Sequence, residues 1–305
     1  MTRETLVRGA LFAIGLVMYC ASSVAQELEP RAYANAPVGL NFLVVAYGFT
    51  EGGVVPDPTV PLTNAQIRIH GFALAYARSL SIARRSAKFD VVLPYASLSG
   101  TADVAGEPRE REVSGFGDPR LRLSINLLGA PALTLRDMRS YRQNLIVGAS
   151  LHAWVPVGQY DTDKLVNIGT HRWAVKPELG MSKAFGLWTL ELSGGATFFQ
   201  DNDAFLGSTR EQEPVYSVQA GVIRSLPSGI WMSLSGTWYA GGRTEVDGAR
   251  KNDLQESSRV GFTVSMPIGR HNSIKFYAHT GVSVRTGSDF DVGGLAWQYR
   301  WGGGL

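Results

Sequence analysis

The chain has 305 residues, a formal net charge of +3 and a single cysteine, and its 35 glycines and 10% aromatic residues are typical of a strand-rich protein. Basic residues are scattered among acidic ones, and no Lys/Arg-rich run or basic-aromatic stripe occurs, so nucleic-acid binding has no support. The length suits one large domain or two ordinary ones.

Residues 1–25 are predicted to be a cleaved signal peptide. Two arginines precede an almost wholly apolar run over residues 9–19, and Ser23-Val24-Ala25 offers the small residues that a signal peptidase reads, so cleavage is expected before Gln26. The alternative is an anchoring membrane helix. The run is shorter than the about 20 apolar residues that a helix needs to span a bilayer.

The only cysteine, Cys20, lies inside this signal, and the bulky Tyr19 before it argues against lipidation. The mature chain would therefore have no disulfide, and strand pairing, partners or a membrane must hold it together. No later segment approaches 18 consecutive apolar residues, so no transmembrane helix is predicted. A periplasmic protein, a secreted protein and an outer-membrane barrel remain.

Residues 26–38 are predicted to be an irregular periplasmic lead-in, because Pro30 and Pro37 interrupt them. From residue 39 to residue 305 we expect one domain built of strands of about ten to fifteen residues. The twelve predicted strands are 39–51, 66–79, 86–98, 115–128, 142–156, 172–183, 187–199, 214–225, 229–240, 258–268, 272–284 and 289–301.

The segment 115–128 shows the strand pattern most clearly, because polar and apolar residues alternate from Asp118 onward. This period of two predicts a strand with one wet face and one apolar face. The polar face holds Asp118, Arg120, Arg122, Ser124 and Asn126, and the apolar face holds Leu121, Leu123, Ile125 and Leu127. The segment 66–79 loses this alternation near Gly71, which predicts a β-bulge there.

The links between the strands give a second signal, since long and short links alternate along the chain. The long links are 52–65, 99–114, 157–171, 200–213 and 241–257, the short links are 80–85, 184–186, 226–228 and 268–271, and the exceptions are 129–141 and 285–288. Short periplasmic turns and long external loops are typical of an outer-membrane barrel. A soluble β-sandwich has no reason to sort its loops in this way.

The predicted fold is therefore all-β: a transmembrane antiparallel up-and-down β-barrel of about twelve strands in the cell outer membrane. Aromatic residues near the predicted strand ends would form its interfacial girdles, although aromatic residues also favour strands in general. They are Tyr47, Phe49, Tyr95, Trp154, Trp173, Trp188, Phe198, Trp231, Trp238, Tyr239, Trp297, Tyr299 and Trp301.

If the apolar faces meet lipid, the polar faces line a lumen in which charges of both signs pair or stay hydrated. The candidate lumen-lining residues are Lys88, Asp90, Asp118, Arg120, Arg122, Lys176, Glu178, Glu191, Lys275 and His279. In a soluble sandwich the same residues would form an ordinary solvated surface.

No enzyme motif occurs, and the five histidines show no metal-ligand spacing, so we predict no catalytic residue, metal or cofactor. A lumenal or rim His-Ser pair is conceivable as a catalytic site, for example His152 with Ser150, which share one strand face. The acidic residues of the link 200–213 have no EF-hand spacing and are interpreted as a solvated loop.

Four stretches resemble one protein family. They are Gly115-Phe116-Gly117-Asp118-Pro119-Arg120-Leu121, the segment 156–161 (PVGQYD), the segment 173–179 (WAVKPEL) and the opening 30–39 (PRAYANAPVG). Together they resemble the MetA-pathway phenol-degradation family of exported proteins, which are described as outer-membrane transporters encoded beside aromatic-catabolism genes. The chain departs from the usual barrel C-terminus, because Gly302-Gly303-Gly304-Leu305 follow Trp301.

The resemblance implies an outer-membrane barrel that passes hydrophobic or aromatic small molecules, and it brings no site residues with it. We therefore expect a non-enzymatic channel working by facilitated diffusion, with outer-membrane lipid, a small-molecule solute and the barrel-assembly machinery as partners. The alternatives are a structural or surface barrel that transports nothing, and a soluble secreted β-sandwich that binds a ligand.

Overall fold

The computed structural model describes residues 30–55, 62–104, 106–285 and 287–305, so the predicted signal peptide lies outside the described residues. Its strands are β1 Leu40–Val55, β2 Leu62–Ile82, β3 Arg85–Val104, β4 Glu107–Phe116, β5 Arg120–Leu128, β6 Leu145–Trp154, β7 Ala174–Phe185, β8 Trp188–Phe199, β9 Asn202–Phe205, β10 Ser208–Gln212, β11 Val215–Ser225, β12 Trp231–Gly241, β13 Thr244–Val246, β14 Ala249–Arg250, β15 Gln255–Ile268, β16 Asn272–Val284 and β17 Gly287–Gly302. A single-turn helix, α1, covers Leu135–Met138. Over the described ranges, no helix has the length and apolar character to cross a membrane.

The main sheet closes on itself, because β1 pairs with β2 along one edge and with β17 along the other. The closing pairing is antiparallel and runs from Leu40 opposite Gly302 to Val55 opposite Gly287. The barrel has twelve strands, with β4 and β5 counted as one. In lipid every backbone N–H and C=O needs a protein partner, and closure provides one without leaving an edge. The predicted fold class is confirmed.

The fourth barrel strand is interrupted. β4 pairs with the upper part of β3, where Phe116 lies opposite Tyr95, and β5 pairs with its lower part, where Arg120 lies opposite Val92. Residues 117–119 separate the two. The predicted strand 115–128 and the predicted loop 99–114 were therefore wrong in their boundaries, because β3 and β4 form a long hairpin. Its charged tip is mostly exposed on both faces, so it lacks the apolar alternation that marks a half-buried strand.

The outer surface of the barrel wall is apolar, as the alternation predicted. Leu123 and Leu151 lie side by side on β5 and β6 and are 45% and 52% exposed. On the other face of β5, Arg120, Ser124 and Asn126 are buried. Further exposed apolar side chains around the wall are Val45, Leu74, Leu93, Leu179, Leu190, Val218, Leu234, Phe262, Phe276 and Leu295. This belt is the lipid-facing surface, and a soluble sandwich would not carry it.

Most of the predicted girdle aromatics are exposed on the outer surface. They include Tyr47, Tyr95, Trp173, Trp188, Phe198, Trp238, Trp297, Tyr299 and Trp301. Three of the residues expected in the girdles lie inside the barrel instead: Trp154 and Tyr239 line an internal cavity, and Trp231 lies beneath the side chains of Arg31 and Lys275. A large aromatic ring satisfies a strand pattern on either face, so the sequence alone did not separate the two groups.

The bulge predicted near Gly71 is absent from both ladders of β2, which run through this residue without a shift. The apolar residues change faces for a different reason. Ile67 and Ile69 point inward and belong to a buried cluster with Val166 and Ile168, whereas Phe72 and Leu74 point outward into the belt. The interior of the barrel is apolar at one level and polar at the next. The register shift between β2 and β3 lies at Thr63–Gln66.

The two ends of the barrel differ. The start of β1, the end of β17 and the short turns lie at one end, here called the terminal end, together with the link 129–144 that contains α1. The longer connections lie at the opposite, loop end. Two of the predicted loops there hold short strands, which form a separate four-stranded sheet in the order β14-β13-β10-β9.

The lipid-facing assignment of Leu123 predicts that Leu123→Arg prevents stable insertion of the barrel. A charge near the middle of the bilayer costs roughly 2–4 kcal/mol in such barrels. The measurement is the heat-modifiable band on gels after refolding into lipid vesicles, and we expect this band to be lost. The matched control is Glu110→Arg on the exposed β3–β4 hairpin, which should fold normally. Normal insertion of Leu123→Arg would reverse the assigned faces.

Candidate functional site in the barrel lumen

Strand register arranges the inward side chains of β3, β5, β6 and β7 in rows across the wall. One row is Asp90, Arg122, His152 and Lys176, and the next row toward the terminal end is Lys88, Ser124, Ser150 and Glu178. Asn126, Gly148 and Gly180 form the third row. Six of the ten predicted lumen-lining residues thus belong to this patch of wall or, in the case of Arg120, lie directly above it.

Asp90, in the first of these rows, is the carboxylate that the two arginines of β5 approach. Its carboxylate accepts a hydrogen bond from Arg122 Nε at 2.7 Å, and Arg120 Nη2 lies 3.8 Å from its other oxygen. The side chains of Asp90 and Arg120 are each 7% exposed, so the group is largely removed from water. A buried charge needs such a partner, because breaking the pair leaves an uncompensated charge inside the protein.

Lys176 and Glu178 form a second pair on β7, with Lys176 Nζ 2.8 Å from Glu178 Oε2. They are two residues apart and therefore share one strand face. Gly195 on β8 leaves room for them, since a Cβ there would lie 2.9 Å from Lys176 Cε. Beside them, Ser150 Oγ lies 3.1 Å from His152 Nε2, so this candidate His-Ser pair is within hydrogen-bonding distance.

The N-terminal segment, residues 30–38, lies inside the barrel and runs along the inner surface of this wall. Tyr33 is 4% exposed, and its hydroxyl donates to Glu178 Oε1 at 3.0 Å and lies 3.2 Å from Ser150 Oγ. The Arg31 N–H donates to Glu191 Oε2 at 2.8 Å, and Lys88 Nζ donates to the Ala32 carbonyl. Nothing in the spacing of residues 26–38 indicated that this predicted lead-in enters the lumen.

The surroundings of Tyr33 keep its hydroxyl protonated, so that it remains a hydrogen-bond donor. Burial raises the pKa of Tyr33 above its ordinary value of 10.0, and the nearby Glu178 carboxylate raises the pKa further. The side chain is therefore neutral at physiological pH and offers its proton to Glu178. This hydrogen bond to a charged acceptor is stronger than one between neutral groups.

A cavity lies next to the N-terminal segment and is partly enclosed by it. The empty space is about 530 Å³, including the part open to solvent. Its walls combine cations with aromatic rings: Arg120, Arg122, Lys176, Trp154 and Tyr239, with Glu178 and Ala32 at the boundary with the segment. The site is thus a polar chamber with aromatic surfaces inside an apolar belt.

Asp118 faces the interior but serves a different purpose from the other predicted lumen residues. It accepts hydrogen bonds from Gly158 N at 2.9 Å, Thr170 N at 2.7 Å and Thr170 Oγ1 at 2.6 Å. These donors belong to residues 155–173, here called the inner loop, which folds into the barrel from the loop end. Asp118 is therefore an anchor for this loop.

The remaining candidates lie farther around the wall. Lys275 Nζ is 6.0 Å from the centre of the Trp231 ring, and the guanidinium of Arg31 is 5.6 Å from the same ring. His279 Nδ1 lies 3.4 Å from Arg259, whose guanidinium covers the Phe290 ring at 4.5 Å. Among the residues that the structure describes, no three histidine, cysteine or acidic residues are placed to hold a metal ion.

Comparison with known proteins shows the family. Residues 46–299 match the family described as "Putative MetA-pathway of phenol degradation". The chain belongs to this family. The predicted resemblance to the MetA-pathway phenol-degradation family is therefore confirmed. No curated protein matches the chain.

Solved structures of outer-membrane barrels share the fold. An outer membrane channel from Pseudomonas putida F1 has 21% identity and a TM-score of 0.77, covering 90% of this chain and 100% of that one. The transport unit of the autotransporter AIDA-I from Escherichia coli has 8% identity and a TM-score of 0.53, covering 92% and 96%. The beta domain of the Bordetella autotransporter Brka has 11% identity and a TM-score of 0.51, covering 87% and 100%.

A closed barrel of this fold with an apolar belt belongs in a lipid bilayer, and the predicted outer-membrane location of this member of the phenol-degradation family is confirmed. Lipid is accordingly a partner of the belt residues.

The role of Asp118 as an anchor predicts that Asp118→Asn loosens the inner loop. The substitution removes the charge that strengthens three hydrogen bonds, and a bond to a charged group contributes roughly 1.5–3 kcal/mol. We expect the amides of Gly158 and Thr170 to exchange with deuterium about tenfold faster or more. Asp163→Asn at the exposed part of the same loop is the control and should leave both rates unchanged. Equal exchange in wild type and Asp118→Asn would show that the carboxylate does not hold the loop.

Proposed function

We propose that the protein is an outer-membrane channel through which small aromatic or hydrophobic compounds enter the cell by facilitated diffusion. The observation that carries the proposal is the chamber inside the closed barrel, where cationic side chains and aromatic rings line one space. Membership of a family described by phenol degradation supports aromatic solutes. The proposed role is passage rather than catalysis, and Ser150 of the candidate His-Ser pair contacts the Tyr33 hydroxyl.

The chamber suits flat, electron-rich solutes. The His152 and Trp154 rings stack with an interplanar angle of 16° and centroids 6.0 Å apart, which offers a solute ring an aromatic surface. Arg120, Arg122 and Lys176 give the lining more positive than negative charge, and cations attract both anions and the faces of aromatic rings. Phenols and aromatic anions therefore fit this lining better than aliphatic cations do.

Assembly in the membrane is the second part of the proposal. We infer that the barrel-assembly machinery recognises β17, the last strand, whose outward face carries Trp297, Tyr299 and Trp301. The glycines that follow turn back beside β1: Gly302 and Gly303 have positive φ angles, and a Cβ at Gly302 would lie 2.7 Å from the Gly39 carbonyl oxygen. The outward aromatic residues of β17 are thus followed by a glycine turn that packs beside β1.

Passage is tested with lipid vesicles that contain the folded protein. The probe is 4-hydroxybenzenesulfonate, a phenol whose permanent charge keeps it from crossing lipid unaided. We expect its entry to be faster than into vesicles that contain no protein, while sucrose, which is larger and has no aromatic ring, should enter more slowly. Entry no faster than without protein would contradict the channel and favour a structural barrel.

The charge of the lining predicts the selectivity of the channel. Arg122→Ala removes one cation from the chamber, and Arg120 remains beside Asp90, so we expect the barrel to fold and its preference for anions to fall. The measurement is the reversal potential across a bilayer in a potassium chloride gradient. Arg109→Ala, on the exposed β3–β4 hairpin, removes the same charge outside the lumen and should leave the potential unchanged. An unaltered potential in Arg122→Ala would place the ion path elsewhere.

A further inference from the structure

The ring of Tyr33 occupies a seat made by two glycines. Gly148 on β6 and Gly180 on β7 lie directly opposite each other, and both face the lumen. A Cβ at Gly148 would lie 2.3 Å from Tyr33 Cδ1, and one at Gly180 would lie 2.1 Å from Tyr33 Cε2. Even an alanine at either position would displace the ring. The wall therefore has a flat recess in which an aromatic ring rests on bare backbone.

The end of the seat beside the Tyr33 hydroxyl is polar and contacts that hydroxyl. One row further along the same two strands, Ser150 and Glu178 lie opposite each other, and both contact the Tyr33 hydroxyl. Glu178 is fixed by Lys176, and Ser150 is within hydrogen-bonding distance of His152. A ring without a hydroxyl would leave the buried carboxylate without this donor, which is costly. The seat thus matches a phenol, and the Tyr33 side chain is itself a phenol on a tether.

The seat is continuous with the chamber. Glu178 lines both the seat and the cavity, and Ala32, next to Tyr33 in the chain, forms part of the cavity wall. A solute in the chamber is therefore separated from the seat only by the N-terminal segment. That segment has no regular secondary structure at residues 34–37. Beside the Tyr33 ring it contacts the wall through single hydrogen bonds at Arg31 and Ala32 and through the Arg31 guanidinium over the Trp231 ring. Nearer β1, Asn35 donates to the Pro131 carbonyl and Ser79 donates to the Pro37 carbonyl.

We propose that this seat, formed by Gly148, Gly180, Ser150 and Glu178, is the phenol-binding site of the channel, and that a phenolic solute replaces the Tyr33 side chain in it. Replacement releases the N-terminal segment from this part of the wall and widens the lumen beside it, while the bonds at Asn35 and Pro37 keep the end of the segment attached near β1. This inference rests on the proposed channel function and adds to it the residues that select the solute. Tyr33 acts as an internal competitor, so the seat is always filled by either the chain or the solute.

The test measures the binding of p-cresol, the side chain of tyrosine as a free molecule, to the folded protein in detergent by calorimetry. Tyr33→Ala vacates the seat and should bind p-cresol about tenfold more tightly than wild type or better, because no internal ligand competes. Toluene lacks the hydroxyl and should bind to Tyr33→Ala about tenfold more weakly than p-cresol, or worse. Equal affinity of wild type and Tyr33→Ala, or of the two probes, would overturn the proposal.

Filling the seat is the complementary experiment. Tyr33→Ala combined with Gly180→Val should fold, since valine favours strands, and should no longer bind p-cresol. Gly293→Val, made in the same Tyr33→Ala background, is the matched control, because a Cβ at that strand position meets no atom within 4 Å. It should bind p-cresol like Tyr33→Ala alone. Heat-modifiable migration verifies folding of each variant, and retained binding after Gly180→Val would place the ligand elsewhere.

Conductance in planar bilayers separates this proposal from the channel function. Tyr33→Ala and Gly180→Val both displace the ring and should conduct more than wild type without solute, whereas p-cresol should raise only the conductance of wild type. If vesicles admit 4-hydroxybenzenesulfonate but Tyr33→Ala does not bind p-cresol, the channel function is supported and the phenol-binding seat is contradicted. If p-cresol binds as expected but no vesicle admits 4-hydroxybenzenesulfonate, the phenol-binding seat is supported and the transport function is contradicted.

Discussion

Closure of the barrel between β1 and β17 is the constraint on which the rest of the structure depends. Lipid offers no hydrogen-bond partners, so the backbone of all twelve strands must be satisfied around the ring. A ring of this size encloses more space than wall side chains can fill, as they do in barrels of eight strands. The chain itself fills the difference. The N-terminal segment enters from the terminal end and the inner loop from the loop end, and the chamber is the space left between them.

The interruption at residues 117–119 shows how the wall and the inner loop depend on each other. Pro119 has no N–H to give to the ladder, and the neighbouring carbonyls would lose partners in a simple break. The inner loop supplies the missing donors: Gln159 N bonds to the Phe116 carbonyl at 2.7 Å, and Val155 N to the Pro119 carbonyl at 3.0 Å. The break lets Asp118 turn toward the loop and hold it. The motif at residues 115–119, predicted to start a strand, is therefore a break within one long barrel strand. The inner loop provides the hydrogen bonds that the break removes.

How much of the structure could be predicted from the sequence depends on how far apart in the chain the interacting residues are. Alternation along a single strand is local, so the lipid-facing side of Leu123 and the inward side of Arg122 were predictable. The pairing of Asp90 with Arg122 requires the register of two strands 32 residues apart, which no local pattern contains. Tyr33 is a stronger case. Its partners Ser150 and Glu178 are 117 and 145 residues away, and the residues around it, 30–37, show no period of two.

The same reasoning explains the errors at Gly71 and at Trp154, Trp231 and Tyr239. Binary patterning assumes that one face of a strand meets one environment along its whole length. Here the interior is apolar beside the inner loop and polar beside the N-terminal segment, so the inward residues of β2 are Ile67 and Ile69 at one level and small residues lower down. The inward glycines at 148 and 180 carried no signal of their own, because a glycine fits either face.

Glu178 shows why the polar interior and the N-terminal segment must be considered together. One of its oxygens is paired with Lys176 on the wall, and the other accepts a hydrogen bond from the Tyr33 hydroxyl. A carboxylate that is only 12% exposed is costly to leave half-satisfied, so the wall favours whatever places a hydroxyl at that oxygen. An apolar recess would have held the segment by ring packing alone and accepted any ring in exchange. The carboxylate makes the exchange selective, because only a ring that brings its own donor restores the hydrogen bond that Tyr33 gives up.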